Sequence, residues 1–184
     1  PLSTDLYLPS LPSLTEYFST SVSRVQATMS VFMGGFAVAT VIYGPLSDRF
    51  GRRSSLMAGL SIFILGSFGC MAAGSVEALI GWRFVQAVGG CAGPVVARAI
   101  IRDVYERHEA ARLLSYMASA MALAPAIAPL IGGWLHVMFG WRSHFVALAL
   151  VGIALVGAAL VLLAETNAHR DVRATDVSRI GKNV

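Results

Sequence analysis

This sequence is short of charge. Only 13% of its 184 residues are Asp, Glu, Lys or Arg, against about 25% in soluble domains, whose surfaces must be wetted. So little charge cannot cover a water-facing globule. Together with 56% hydrophobic residues and a mean hydropathy of +0.69, it implies a surface that faces lipid. Cysteine is scarcer still: Cys70 and Cys91 are the two, and both fall within apolar runs. That excludes a disulfide framework of the secreted kind and leaves them as small residues at helix contacts. His108, His136, His144 and His169 are scattered, without the spacing that metal ligation needs. No glycine-rich phosphate loop precedes a helix, so ATP is not the motor. The serines and cysteines lack a histidine–acid partnership, so the chain is read as no enzyme, with no cofactor and no metal. The pI of about 9.5 suggests nucleic acid at first sight, but there is no soluble basic patch to bind it, and nucleic acid is excluded as a partner.

What the chain has instead is long apolar runs. A spanning helix needs about 20 mostly apolar residues to cross a hydrocarbon layer of about 30 Å. Runs of that length fall at about 25–46, 55–74, 78–101, 113–137 and 144–164. They are continuous rather than alternating, which excludes barrel strands, and a helix satisfies its own backbone in lipid. The fold class is therefore an all-α membrane protein. Arginine and lysine collect on the cytoplasmic side of short loops. If Gly44–Arg53 is cytoplasmic, so are residues 98–112 and the tail, which together hold eleven of the 14 positive residues. Arg24 and Arg142 are left on the other side, with Arg83 embedded in a span. On this threading residues 1–13 finish a first span that starts before residue 1, so both ends are expected to be cut. Residues 1–164 then form a six-span bundle, the first span at about 1–13, and residues 165–184 form a cytoplasmic linker.

The stretch GPLSDRFGRR, Gly44–Arg53, packs Asp48, Arg49, Arg52 and Arg53 between two apolar runs. Gly44 and Pro45 are expected to loosen the end of the second span. Gly51, with no Cβ to clash, permits a sharp turn. A positive-inside anchor explains arginines and a glycine, but not an aspartate spaced G-x-x-x-D-R-x-G-R-R. That spacing resembles the signature loop of the major facilitator superfamily, found between its second and third helices. LIGWRFVQAVGGCAG resembles the family's R-x-x-Q-G-x-G pattern through Arg83, Gln86 and Gly89, departing at Ala87. ALAPAIAPLIGG is similar to the antiporter motif G-x-x-x-G-P-x-x-G-G. There Ala124 and Ala128 replace two glycines, while Pro129, Gly132 and Gly133 match. STDLYLPSLP, IIRDVY and the AET that closes the sixth span look like the bicyclomycin and chloramphenicol resistance branch of drug exporters.

The resemblance implies the amino-terminal six-helix half of that fold, with its first helix truncated, in a bacterial inner membrane. It implies proton-coupled export of small hydrophobic drugs by two bundles rocking around a central site. The partners are then the small-molecule substrate, protons, the lipid bilayer and a missing carboxy-terminal half. Uptake by the same fold is the first alternative, and an inactive truncated module the second. A lone half cannot close both gates, so residues 1–184 alone are not expected to transport.

Individual residues carry the chemistry. An ionised Asp5 inside the first span is costly unless paired, which suits a proton carrier. Its rival reading is a hydrated cap near the prolines Pro9 and Pro12. An arginine at a helix centre costs about 2.5–3.5 kcal/mol on the insertion scale. Arg83 is therefore read as functional, since the family associates this arginine with proton transfer, although its stem could snorkel outward. Arg98 and Arg102 read as headgroup anchors. The resemblance makes Asp48 part of a cytoplasmic gate that gains from the dipole of a partner helix, with Arg52 and Asp103 as the charges that steady it. Pro125 and Pro129 are expected to kink the fifth span, and Gly132 and Gly133 to let backbones approach. Tyr7, Phe32, Phe36, Gln86, Met117 and Met121 are the candidate substrate pocket, aromatic and flexible enough to tolerate varied shapes. Tyr17, Phe18, Trp134 and Trp141 read as interface anchors.

Overall fold

The structure, a computed structural model, describes residues 2–163. The expected linker at 165–184, with its basic residues and His169, lies outside the described residues. The first span is not one helix. It is a short helix α1 (Leu2–Asp5), a 3-10 turn (Leu8–Ser10) and a helix α2 (Leu11–Tyr17). Pro9 and Pro12 stand within the first two positions of the turn and of α2, where a missing amide proton costs nothing and the fixed φ suits a start. The prolines thus break this segment into pieces.

Five long helices follow, all long and apolar enough to cross a membrane: α3 (Val22–Phe50), α4 (Arg52–Met71), α5 (Val76–Val104), α6 (Arg107–Phe139) and α7 (Arg142–Leu162). Ser21 and Ser75 cap α3 and α5 by accepting the amides of Arg24 at 3.4 Å and Ala78 at 3.2 Å, satisfying donors that a helix start leaves open.

At the arginine-rich end the loops are shorter than the sequence suggests. α3 runs through Gly44 and Pro45 to Phe50, so the Gly44–Arg53 stretch is two helix ends joined by Gly51. Gly51, at φ 97°, makes the whole reversal in a region that side chains disfavour. Likewise α5 continues to Val104 and α6 starts at Arg107, leaving Tyr105 and Glu106 between them. A helix that pairs its own backbone has reason to continue past its apolar limit, and membrane helices tolerate internal proline.

α5 lies at the centre, packed against α3 and α4, and α7 covers α4. The α4–α5 contact is backbone-close. A Cβ on Gly66 would stand 2.6 Å from the Gln86 amide nitrogen, and one on Gly89 would stand 2.7 Å from Phe63 Cα. Small residues allow such approach where lipid supplies no hydrophobic drive. The main core joins Tyr7, Leu14, Val25, Phe63, Leu79 and Phe145. α6 is the outlier: of its 33 residues only Ala110, Ala128 and Gly132 are buried. Arg142 ties the arginine-poor end together, donating to Met71 O at 3.0 Å and Tyr17 Oη at 3.0 Å. It meets the carbonyl end of α4, where a cation is favoured. Tyr17, Phe18 and Trp141 pack beside it in edge-on and tilted contacts.

Candidate functional site

Arg83 sits mid-bundle on α5 with no exposed surface. It does not snorkel. Its Nη1 donates to Gln86 Oε1 at 2.8 Å and to the carbonyl of Ser3 at 3.0 Å, while Nη2 faces Met29 Sδ at 3.7 Å. The guanidinium lies 4.1 Å from the Phe32 ring centre, 4.8 Å from that of Tyr7 and 6.0 Å from that of Phe145. Cation–π contacts with desolvated rings are worth about 2 kcal/mol, which offsets part of the cost of burying the charge. The spacing explains the local geometry, since Arg83 and Gln86, three apart on a helix, share a face. Gln86 passes the chain on, donating from Nε2 to Ser67 Oγ at 2.8 Å, and Ser67 donates to Phe63 O at 2.8 Å. Tyr7 Oη and Thr28 Oγ1 pair at 3.1 Å. Ser67, Thr28 and Phe145 complete the cage, and sequence reading missed them.

Asp5 lies on the same segment as Ser3, two residues on. Thr4 Oγ1 donates to its Oδ1 at 3.2 Å. Its Oδ2 and the Nε of Arg83 are the two buried side-chain polar atoms without a hydrogen-bond partner among the described residues, and such atoms are uncommon in folded chains. No ion pair joins Asp5 to Arg83. The first segment instead reaches Arg83 through the Ser3 carbonyl and the Tyr7 ring.

At the arginine-rich end, Arg52 gathers the charges of the signature stretch. It is ion-paired with Asp48, donates from Nε to Asp103 Oδ2 at 2.8 Å and from Nη1 to Ser47 Oγ at 2.6 Å. Its side chain is 10% exposed, against 46% for Asp48. Asp48 thus bonds inward while presenting a face outward. Arg53 donates to Leu160 O at 3.0 Å, fastening α7, and Arg49 lies over Phe50 at 5.1 Å. A cavity of about 410 Å³, lined by Gly44, Asp48, Arg52, Arg98, Arg102 and Asp103 among others, opens beside this cluster.

The fifth-span motif has one buried edge. Ala128 and Gly132, one turn apart, are buried, while Ala124, Pro129 and Gly133 are partly exposed. α6 is continuous through Pro125 and Pro129. A Cβ on Gly132 would strike the Leu6 carbonyl, so here α6 touches the backbone of the first segment. The candidate pocket divides. Tyr7, Phe32 and Gln86 surround Arg83. Phe36 stacks on Phe32 at 6.3 Å but packs toward Ala39, Tyr43, Cys91 and Ala92. Met117 and Met121 line a different groove of about 580 Å³ between α4, α5, α6 and α7, with Leu60, Pro94 and Leu155. The reason is level: Met121 precedes Gly132 by eleven residues, roughly 16 Å along a helix.

The model of the Major Facilitator Superfamily matches residues 1–181. Among similar proteins, the chain is 34% identical over 170 residues to a chloramphenicol resistance protein of Pseudomonas aeruginosa, covering 92% of this chain and 41% of that protein. It is 32% identical over 166 residues to the multidrug resistance protein MdtL of Escherichia coli, covering 90% and 42%. An uncharacterized MFS-type transporter of Bacillus subtilis, YdgK, is 34% identical over 168 residues, again covering 90% and 42%. The chain therefore spans about two-fifths of the length of the curated relatives it matches. The fold is similar to that of the human organic anion transporter MFSD10, with a TM-score of 0.76 at 16% identity over 97% of this chain and 48% of that one.

Proposed function

Because the chain belongs to the Major Facilitator Superfamily, we propose that it forms one bundle of a proton-coupled antiporter. The antiporter exports small hydrophobic drugs across a bacterial inner membrane by alternating access with a second bundle. The relatives named for chloramphenicol and multidrug resistance support drugs as the cargo. Within the described residues, the broken first segment and the five long helices are that bundle.

The observation that carries this reading is the enclosed Arg83, held to the first segment through Ser3 O, with an unpartnered Nε, and the unpartnered Oδ2 of Asp5 two residues along the chain from Ser3. An uncompensated ionised carboxylate inside a bilayer is costly. Asp5, with a buried oxygen that has no partner, is the carboxylate this reading makes the proton carrier, and substrate competes for the same interior. Tyr7, Phe32 and Gln86 offer ring faces and an amide to a hydrophobic substrate beside Arg83. The outward face of Asp48, steadied by Arg52 and Asp103, meets a helix of the second bundle and latches the cytoplasmic gate. Of the antiporter motif at Ala124, Ala128, Pro129, Gly132 and Gly133, the buried edge at Ala128 and Gly132 seals α6 against the first segment and limits leakage.

The test is Asp5→Asn in the whole transporter, reconstituted in proteoliposomes with an imposed proton gradient. Drug export should be abolished while insertion and helicity stay intact. Full export by this variant removes Asp5 from the coupling.

A further inference from the structure

Three polar side chains at the arginine-poor end belong neither to the Arg83 cage nor to the charged cluster. α6 and α7 reverse through Gly140, at φ 78°, and this turn lays His136 against His144, with ring centres 6.2 Å apart and planes at 26°. Ser10, in the 3-10 turn of the first segment, stands between them. Its Oγ is 2.9 Å from His136 Nδ1 and 3.4 Å from His144 Nδ1. Ser10 and His144 have no exposed surface, whereas His136 is partly exposed.

Hydrogen-bond valence then decides what the cluster can do. A neutral imidazole has one N–H and one bare nitrogen, and a carbonyl oxygen only accepts. His144 Nε2 is 2.9 Å from Gly132 O, and in the neutral tautomer that the relay uses it carries the ring proton and donates it there. His144 Nδ1 is 2.8 Å from Trp141 O, which also only accepts. In the neutral ring that nitrogen is bare, takes the Ser10 hydroxyl proton across the longer contact, and faces the Trp141 carbonyl with no hydrogen between them. A second proton on the ring resolves this: Nδ1 donates to Trp141 O, and the Ser10 hydroxyl turns to His136. The cage thus holds an acceptor in place for a proton that the neutral ring lacks.

We propose that His136, Ser10 and His144 form a proton relay in which His136 collects a proton at the bundle edge and His144 is the buried binding site. In the transfer, doubly protonated His136 gives its Nδ1 proton to Ser10 Oγ while Ser10 gives its own hydroxyl proton to His144 Nδ1. One N–H and one O–H bond break, and one O–H and one N–H bond form. His136 becomes neutral, His144 becomes the imidazolium, and the net change is one proton moved inward. Rotation of the Ser10 hydroxyl resets the path. The groups that face His144 are His136 from α6, the Ser10 hydroxyl from the first segment, and the carbonyls of Gly132 and Trp141. Arg142, its nearest charge in sequence, is turned away toward Met71 O and Tyr17 Oη. Tyr7 packs on the next residue, Phe145, at 5.6 Å, and its hydroxyl is engaged by Thr28. The relay rests on this geometry and not on the roles given to Asp5 and Arg83.

The test uses the 184-residue chain in lipid nanodiscs with ¹⁵N-labelled histidine, and reads the exchange of the His144 ring N–H protons with water. The His144 signals are assigned by their loss in His144→Gln. Ser10→Ala should slow the exchange by roughly a hundredfold, the lower end of what a positioned proton-transfer group contributes. Ser10→Thr, which keeps the hydroxyl, should leave it near the wild-type rate. His136→Phe keeps a stacked ring without nitrogens and should slow it as Ser10→Ala does, which preserves the test if the alanine variant does not fold. Exchange at or above the wild-type rate in Ser10→Ala or His136→Phe overturns the relay.

Discussion

Gly132 and Gly133 offer a matched experiment, because Gly132→Ala and Gly133→Ala produce chains of identical composition. A Cβ on Gly132 would stand 2.9 Å from the carbonyl carbon of Leu6 and 3.0 Å from its Cα, and closer still to its oxygen. These are backbone atoms and cannot rotate away. A Cβ on Gly133 meets nothing within 4 Å. Carbon atoms rest at about 3.5–4.0 Å, so α6 and the first segment must part by roughly 1 Å to admit the methyl group. Overpacking of this kind costs about 1–3 kcal/mol. Glycine to alanine within a helix contributes about 1 kcal/mol in favour of either variant, and this cancels in the comparison. Gly133→Ala should therefore match or slightly exceed the wild-type stability, and Gly132→Ala should fall below its isomer by about 1–3 kcal/mol. The measurement is reversible unfolding of the chain in mixed micelles of rising SDS fraction, followed by far-ultraviolet circular dichroism. Equal unfolding free energies for the two isomers, or the reverse order, would refute the close approach at Leu6.

Two further outcomes follow from the charged contacts. In a double-mutant cycle, Arg52→Gln and Asp103→Asn should show a coupling of about 1–3 kcal/mol, because hydrogen bonds to charged groups are strong and the Arg52 side chain is only 10% exposed; strictly additive losses in the same unfolding assay would dissolve the cluster. Glu77→Gln, in contrast, should cost less than about 1 kcal/mol, since both ends of the Arg24–Glu77 pair are more than 60% exposed; a larger loss would give that contact a part in closing the arginine-poor end.

The sequence makes legible whatever depends on composition or on fixed spacing along one helix. The five spans could be placed from apolar length, and Arg83 stood out because a lone charge in such a run is costly. The pairing of Arg83 with Gln86 followed from their three-residue step. Helix ends were less legible. Gly44–Pro45 reads as a breaker in water, yet α3 continues through it, because backbone groups near lipid have no better partner than their own helix. Contacts between distant elements were harder still. Phe145 looks like any other residue in an apolar helix, and only the fold lays it over Arg83. Met117 and Met121 were grouped with Tyr7 by chemical type, without regard to their level in the bundle. The histidines fail as metal ligands on spacing, and no spacing rule reveals that a reversal at Gly140 sets His136 on His144 with Ser10 between them.

The two ends of the bundle are closed by different physics, and this bears on which element the proposed transport cycle can move. At the arginine-rich end the closure is ionic: Arg52 holds Asp48 and Asp103, and the half-exposed Asp48 is the member open to a competing charge. At the arginine-poor end it is steric and backbone-based: α6 meets Leu6 at Gly132, and Arg142 donates to the end of α4. α6 is buried at Ala128 and Gly132 near the second end and otherwise only at Ala110. Between those points it diverges, leaving the groove lined by Met117 and Met121. Backbone contact at Gly132 and thin packing between Ala110 and Ala128 leave α6 held mainly at the arginine-poor end. If α6 moves in the proposed cycle, Gly132 is the contact about which it would turn, and Gly132→Ala in the whole transporter should lower drug export from proteoliposomes more than Met117→Ala or Met121→Ala in the groove.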